Sequence, residues 1–356
     1  MKAAVLCVVS LLLLSGCGAG LPQARELGGM SLMRTMGVDL KEDGAVSVTV
    51  TTAHRDEDTS GKEKPVLLSA KRETMSGACQ ALRSRDEEGV FLGHVEELLL
   101  GDGLAAQGGA EEILRYLADD QQLGLGLRVW LVRGEEAQTV LGNKDAENAV
   151  QQRLGEFPVE LDLGIPGMER SAGAVLTDLL EGRAAWLPAL TLVGEGEEQS
   201  VLIWGYGVLD RDGLCGWVTG DAARGLELAR GYPGSELLEL EQGTVRLRSA
   251  TLHCIPVLER GTVKGLRLDL RLTAQVEELL GDASKLQRQV EERTLRYLKA
   301  AVEQAQQENR DFLGLDTLAG LSAPEVCDQI RAQWPERFAA LEIDIQCKAT
   351  MMEQRE

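Results

Sequence analysis

The strongest pattern along the chain lies in its last third. Residues 244–257 alternate polar and apolar side chains, turn over Glu259-Arg260-Gly261-Thr262 and return as residues 263–276. In the returning arm Leu266, Leu268, Leu270 and Leu272 fall on one side, and Arg267, Asp269, Arg271 and Thr273 on the other. A period of two with one wet side predicts a long antiparallel ribbon laid over a core. From Ala283 to Asn309 the period lengthens. Leu286, Val290, Thr294, Tyr297, Ala301 and Ala305 recur at helical spacing and predict one long helix with a buried stripe. A shorter helix near 324–334 and an alternating strand over 342–349 complete a separate α+β unit.

Earlier segments are shorter. Val46, Val48 and Val50 alternate in a half-buried strand over 45–53, and the charged stretch 54–64 reads as an exposed connection. A strand at 65–70, a helix at 74–84, a strand within 90–100, a helix at 111–117 and a strand at 125–132 then make a compact α/β unit over about 65–133. A helical segment around 146–154 leads to a strand at 158–163. Ser171–Glu181 reads as an amphipathic helix stopped by Gly182. Strands at 201–209 and 214–218, joined by Asp210-Arg211-Asp212-Gly213, carry a hairpin signal. The fold class is mixed α/β and α+β with several domains, the last an antiparallel sheet with a long helix.

The N-terminus changes this picture. Lys2 precedes an apolar run from Ala3 to Leu14, followed by Ser15, Gly16 and Cys17. A dozen apolar residues suit a secretory signal, whereas a membrane-spanning helix needs about 20. Leu14-Ser15-Gly16-Cys17 resembles a bacterial lipobox, in which cleavage precedes a cysteine carrying a diacylglyceryl thioether. Residues 1–16 are therefore expected to be a lipoprotein signal peptide and Cys17 the lipid anchor. What remains is 340 residues with 36 basic and 57 acidic side chains. That balance is a poor match for nucleic acid or for adhesion to anionic headgroups.

Candidate chemistry is sparse. Cys79, Cys215, Cys254, Cys327 and Cys347 lack any Cys-x-x-Cys pair and read as buried apolar residues, with one disulfide left open. Gly124-Leu125-Gly126 and Gly205-Tyr206-Gly207 lack the further glycine or lysine of a phosphate cradle. Asp210-Arg211-Asp212-Gly213 echoes a calcium loop, but Leu214 stands where a ligand is needed. The three histidines are His54, His94 and His253, and no two have metal-ligand spacing. His94 near Glu96, Glu97 and Asp102 is the one His–carboxylate grouping, and a structural role suits it better. No catalytic residue, metal or cofactor is expected.

These residues resemble a known family. Arg25-Glu26-Leu27 and Met36-Gly37-Val38-Asp39 behind the lipobox are similar to the opening of the Ger(x)C family, lipoprotein C subunits of spore germinant receptors. Phe91-Leu92-Gly93-His94 with Gly101 and Ala105, the stretch Trp204–Gly225 read as a hairpin and turn, Asp311-Phe312-Leu313-Gly314 and Trp334 follow in the family's order. Gly18-Ala19 stands where members commonly have Trp-Asp, and Asp221–Ala223 departs from a Glu-Thr pair.

The resemblance implies a three-domain, non-enzymatic protein on the outer face of the spore inner membrane. Its partners there would be two integral-membrane subunits, A and B. Laid on the elements above, domain I comprises 17–56 with 137–236, domain II 57–136 and domain III 237–356. The competing reading is a solute-binding lipoprotein of a membrane transporter. It needs two similar lobes, and the segments here are dissimilar.

Overall fold

The computed structural model describes residues 31–52, 66–84, 90–142, 150, 154, 167–194, 199–234 and 237–352. The expected signal peptide and lipobox, the connection at 54–64, the strand at 158–163 and most of the helix at 146–154 lie outside the described residues.

Ser31–Leu40 forms β1, the strand on which the first sheet is assembled. It pairs antiparallel with β2 (Val46–Thr52), which pairs antiparallel with β3 (Leu67–Arg72). Helix α1 (Met75–Arg83) follows, with Thr74 accepting from the Gly77 N–H as its N-cap. The expected strand at 90–100 divides into β4 (Val90–Phe91) and β5 (Glu97–Leu100), both parallel to β1. Then come α2 (Asp102–Ala106), α3 (Ala110–Asp119), β6 (Arg128–Val132), α4 (Ala137–Gly142) and α5 (Ala172–Leu180). The sheet closes with β7 (Ala185–Val193), β8 (Ser200–Asp210) and β9 (Gly213–Val218).

The resulting order is β3-β2-β1-β5-β6-β7-β8-β9, with β4 beside β1. Strands from 57–136 therefore share one mixed sheet with strands from 17–56 and 137–236. Helices α1, α3 and α5 bury one face over Met36, Val38, Leu98 and Val129, and α4 covers part of the other over Leu99, Trp130 and Val132. Stripping such apolar area from water contributes about 25 cal/mol per Å².

Helix α6 (Gly220–Ala229) stands where a turn after the hairpin was expected. It leads to a second sheet: β10 (Leu237–Leu240), β11 (Gly243–Glu259), β12 (Thr262–Leu279) and, after three helices, β13 (Glu342–Met352). The ribbon of β11 and β12 has its expected wet and dry sides. The closing strand pairs parallel to β12 over eleven positions, so this sheet is mixed where an antiparallel one was expected. The helices α7 (Ala283–Glu308), α8 (Leu315–Ser322) and α9 (Cys327–Arg337) carry the chain back across the sheet before it re-enters, which imposes the parallel sense.

Buried side chains of α6 to α9 and of both β11 and β12 form one core with Trp186, Tyr206, Val208 and Val218 from the first sheet. The two sheets thus share an apolar centre. At its tightest point a Cβ on Gly225 of α6 would lie 2.1 Å from the Tyr297 carbonyl oxygen and 2.7 Å from the Ala301 Cβ. Only glycine allows that approach. Gly225→Ala is expected to lower stability by about 1–3 kcal/mol, since helix backbone cannot step aside. Gly124→Ala, where nothing lies within 4 Å of the added carbon, is the control. Thermal unfolding of both checks this, and equal melting temperatures would refute it.

Candidate functional site

Where the two sheets meet, a cleft of about 690 Å³ opens. One wall is the end of α5 (Glu181 to Ala184) and the β8–β9 turn (Asp210 to Asp212). The other is Asn309 to Asp311, Arg331, Trp334 and Phe338. The sequence forms the first wall through the hairpin turn, where the Asp210 carboxylate accepts from the Asp212 and Gly213 N–H groups. The same carboxylate accepts from Arg310 at 2.8 Å, so one turn also ties the two walls together. The turn closes the expected hairpin.

The second wall is organised by Asp311. Asn309 ends α7 in the left-handed conformation at φ 48, and the chain reverses immediately. Asp311 then turns inward and accepts from the Leu315 and Asp316 N–H groups at 3.0 and 2.9 Å, capping α8. Its second oxygen also accepts from the Trp334 indole of α9 at 3.0 Å. Arg230, at the end of α6, donates to the Phe312 carbonyl at 3.0 Å. Gly314, at φ +69, leaves room for it: a Cβ there would lie 3.0 Å from the guanidinium. Burial, followed by the nearby Asp316 charge, pushes the Asp311 carboxyl up to about 6. Burial lowers Arg230 as well, against the pull of Asp311 and Asp178.

A second buried pair lies close by. Arg170 bonds Asp178, which also holds Arg183 at 2.8 Å, and its guanidinium covers the Trp186 ring at 4.5 Å. Burial brings the Arg170 pKa down to about 10. The joint is therefore dense in charge, and most of that charge is internally compensated.

The other residues singled out from sequence do not converge on this cleft. Asp39 is buried beneath α4 and accepts from the Ala137 and Gln138 N–H groups at 2.7 and 2.9 Å, capping that helix from across the sheet. Gly37 and Gly101 line the same contact: a Cβ on either would strike Ala137 or Asp39. His94 is half exposed, 3.9 Å from Glu96. Glu97 is turned inward to Arg128 and to the Trp130 indole at 2.6 Å, a structural tie. His253 lies on the wet side of β11. Trp204 packs edge-on against Trp217 beneath Arg133. His54 and Leu14, Ser15, Gly16 and Cys17 lie outside the described residues.

The cysteines of the described residues are free thiols. Burial raises Cys79, Cys215 and Cys347 to about 11 and Cys254 to about 12. No group of three metal-ligating side chains forms among the described residues.

Asp311 makes a signed prediction. Unfolded, its carboxyl titrates near 3.8, and folded near 6. Between those values the folded state holds the extra proton, so this group's contribution is most favourable below about pH 4 and declines as pH rises to about 6. The stability difference between wild type and Asp311→Asn, from denaturant unfolding at each pH, should fall across that window. A difference that stays flat or rises would refute the assignment.

Two family descriptions match the chain. Residues 23–157 match the spore germination protein N-terminal domain, and residues 204–354 match the spore germination B3/GerAC-like C-terminal region. A solved structure titled "Crystal Structure of the GerBC protein" aligns with a TM-score of 0.58 at 15% identity, covering 89% of this chain and 96% of that one. At that identity the likeness shows a shared fold. No curated protein matches. With both its halves matched in order, the chain belongs to the Ger(x)C family of spore germination proteins.

Proposed function

We propose that this protein is the lipid-anchored C subunit of a spore nutrient germinant receptor, acting without catalysis beside integral-membrane A and B subunits. The observation that carries this reading is the Leu14-Ser15-Gly16-Cys17 lipobox preceding a chain of this family. No helix among the described residues is long and apolar enough to cross a membrane. In this reading, attachment to the outer face of the spore inner membrane comes from acyl chains on Cys17. Each buried methylene contributes about 0.8 kcal/mol, and two or more chains hold a protein durably where one does not.

Held in that plane, the folded body meets membrane partners at a raised effective concentration. The charged cleft supports a docking role better than a chemical one, because its acids and guanidiniums largely bond one another.

Two outcomes are expected. Cys17→Ala leaves the folded body intact by circular dichroism and moves it to the soluble fraction when no partner subunit is present; undiminished membrane recovery would sink the anchor. The tagged chain purified from spore membranes brings multi-pass receptor subunits with it, as read by mass spectrometry. Transporter permeases in their place would overturn the receptor assignment.

A further inference from the structure

The second sheet ends in an unusual edge. β13 runs eleven residues along β12 without a bulge, and its far side has no strand partner among the described residues. Ala349 shows which backbone groups face that side. Its N–H donates to Glu291 and its carbonyl accepts from Gln287, both side chains of α7, each at 3.0 Å. Because strand residues alternate, Ile343, Ile345 and Cys347 present their N–H and C=O groups to the same side. Among the described residues no hydrogen bond reaches the backbone groups of those three on that side, while the Thr294 hydroxyl of α7 lies 3.2 Å from the Cys347 thiol on the core face. Their side chains are only partly buried against the core. A long unblocked edge is a template for another strand.

The charges select the occupant. On the wet face of β13, Asp344, Gln346 and Lys348 follow one another at a spacing of two. Lys348 has no ion pair among the described residues, and Asp344 accepts from Gln346 of its own strand at 3.3 Å while Arg267 stands off at 3.9 Å. In an antiparallel pair of β13 strands centred on Gln346, each Asp344 stands opposite the other copy's Lys348. Ile345 and Cys347 then exchange backbone bonds with Cys347 and Ile345 of the second copy, giving four hydrogen bonds. The side chains of α7 at Ala349 end the ladder on both sides and fix this register. We infer that β13 is a homotypic docking edge, through which two copies of this chain join their second sheets across a two-fold axis at Gln346.

The register makes the test specific. Opposed residues at the axis sit about 4.5 Å apart in Cα, within disulfide reach, so Gln346→Cys in the full chain should give an oxidised dimer. Asp344→Cys should not, because the two copies of that residue lie four positions apart, roughly 13 Å. Lys348→Asp in the Gln346→Cys background sets acid against acid at both pairs and should slow dimer formation several-fold. Adding Asp344→Lys should restore it, and unchanged thermal unfolding of each variant would show that folding is not the cause. Equal crosslinking of the Gln346 and Asp344 variants, or no rescue by the swap, would overturn the register. A disulfide to a different protein, or none at all, would overturn the homotypic pairing.

Discussion

The close approach of α6 and α7 sets the arrangement of everything beyond the first sheet. With Gly225 against the Tyr297 carbonyl, α7 lies near enough to α6 for Leu226, Leu298 and Ala301 to share one core with Trp186 and Tyr206. A larger residue there would force the helices apart and open that core along its length. Packed interiors tolerate little such displacement, so a single hydrogen in place of a methyl group holds two sheets as one body.

That union creates an electrostatic problem at the joint. The chain must reverse between α7 and α8 inside the protein, leaving N–H groups of α8 with no helical partner. Asp311 satisfies two of them and takes the Trp334 indole as well. A buried carboxylate is costly unless it is bonded and partnered, and Arg230 supplies the nearby positive charge while holding the Phe312 carbonyl. The cleft beside this network is therefore the outer margin of a structural joint. Its acids and guanidiniums serve first to keep the reversal in place.

The same distinction explains what was legible in the sequence. The ribbon and α7 could be read because each has one wet and one dry side, so their periods survive in the residue order, and the β8–β9 hairpin could be read from its Asp212-Gly213 turn. β1 and β7 could not. β1 is buried on both faces over most of its length, and a strand with two dry faces shows no alternation. β7 is similarly buried and carries Pro188, a residue that argues against an interior strand. α6 was hidden by its two glycines, one of which is required by its neighbour. Of the motifs that marked the family, Gly37, Asp39, Gly101, Asp311 and Gly314 serve helix caps and close contacts. The family signature thus reports on the joints of the fold. The proposed anchor rests on residue order alone, since a lipobox would be read by a peptidase before any folding occurs.

The proposed anchor and the open edge would place complementary limits on the molecule. The start of β1 lies fourteen positions after Cys17, and a chain of that length reaches at most about 50 Å. An anchored body would thus stay within a shallow layer above the lipid, its orientation set by whatever it touches next. A weak edge pairing has little effect in dilute solution, because a few backbone bonds must offset the lost freedom of two whole molecules. Confinement to a layer removes much of that cost beforehand. The proposed β13 pairing would therefore be strengthened in a tethered chain, where confinement offsets part of the repulsion between two acidic copies.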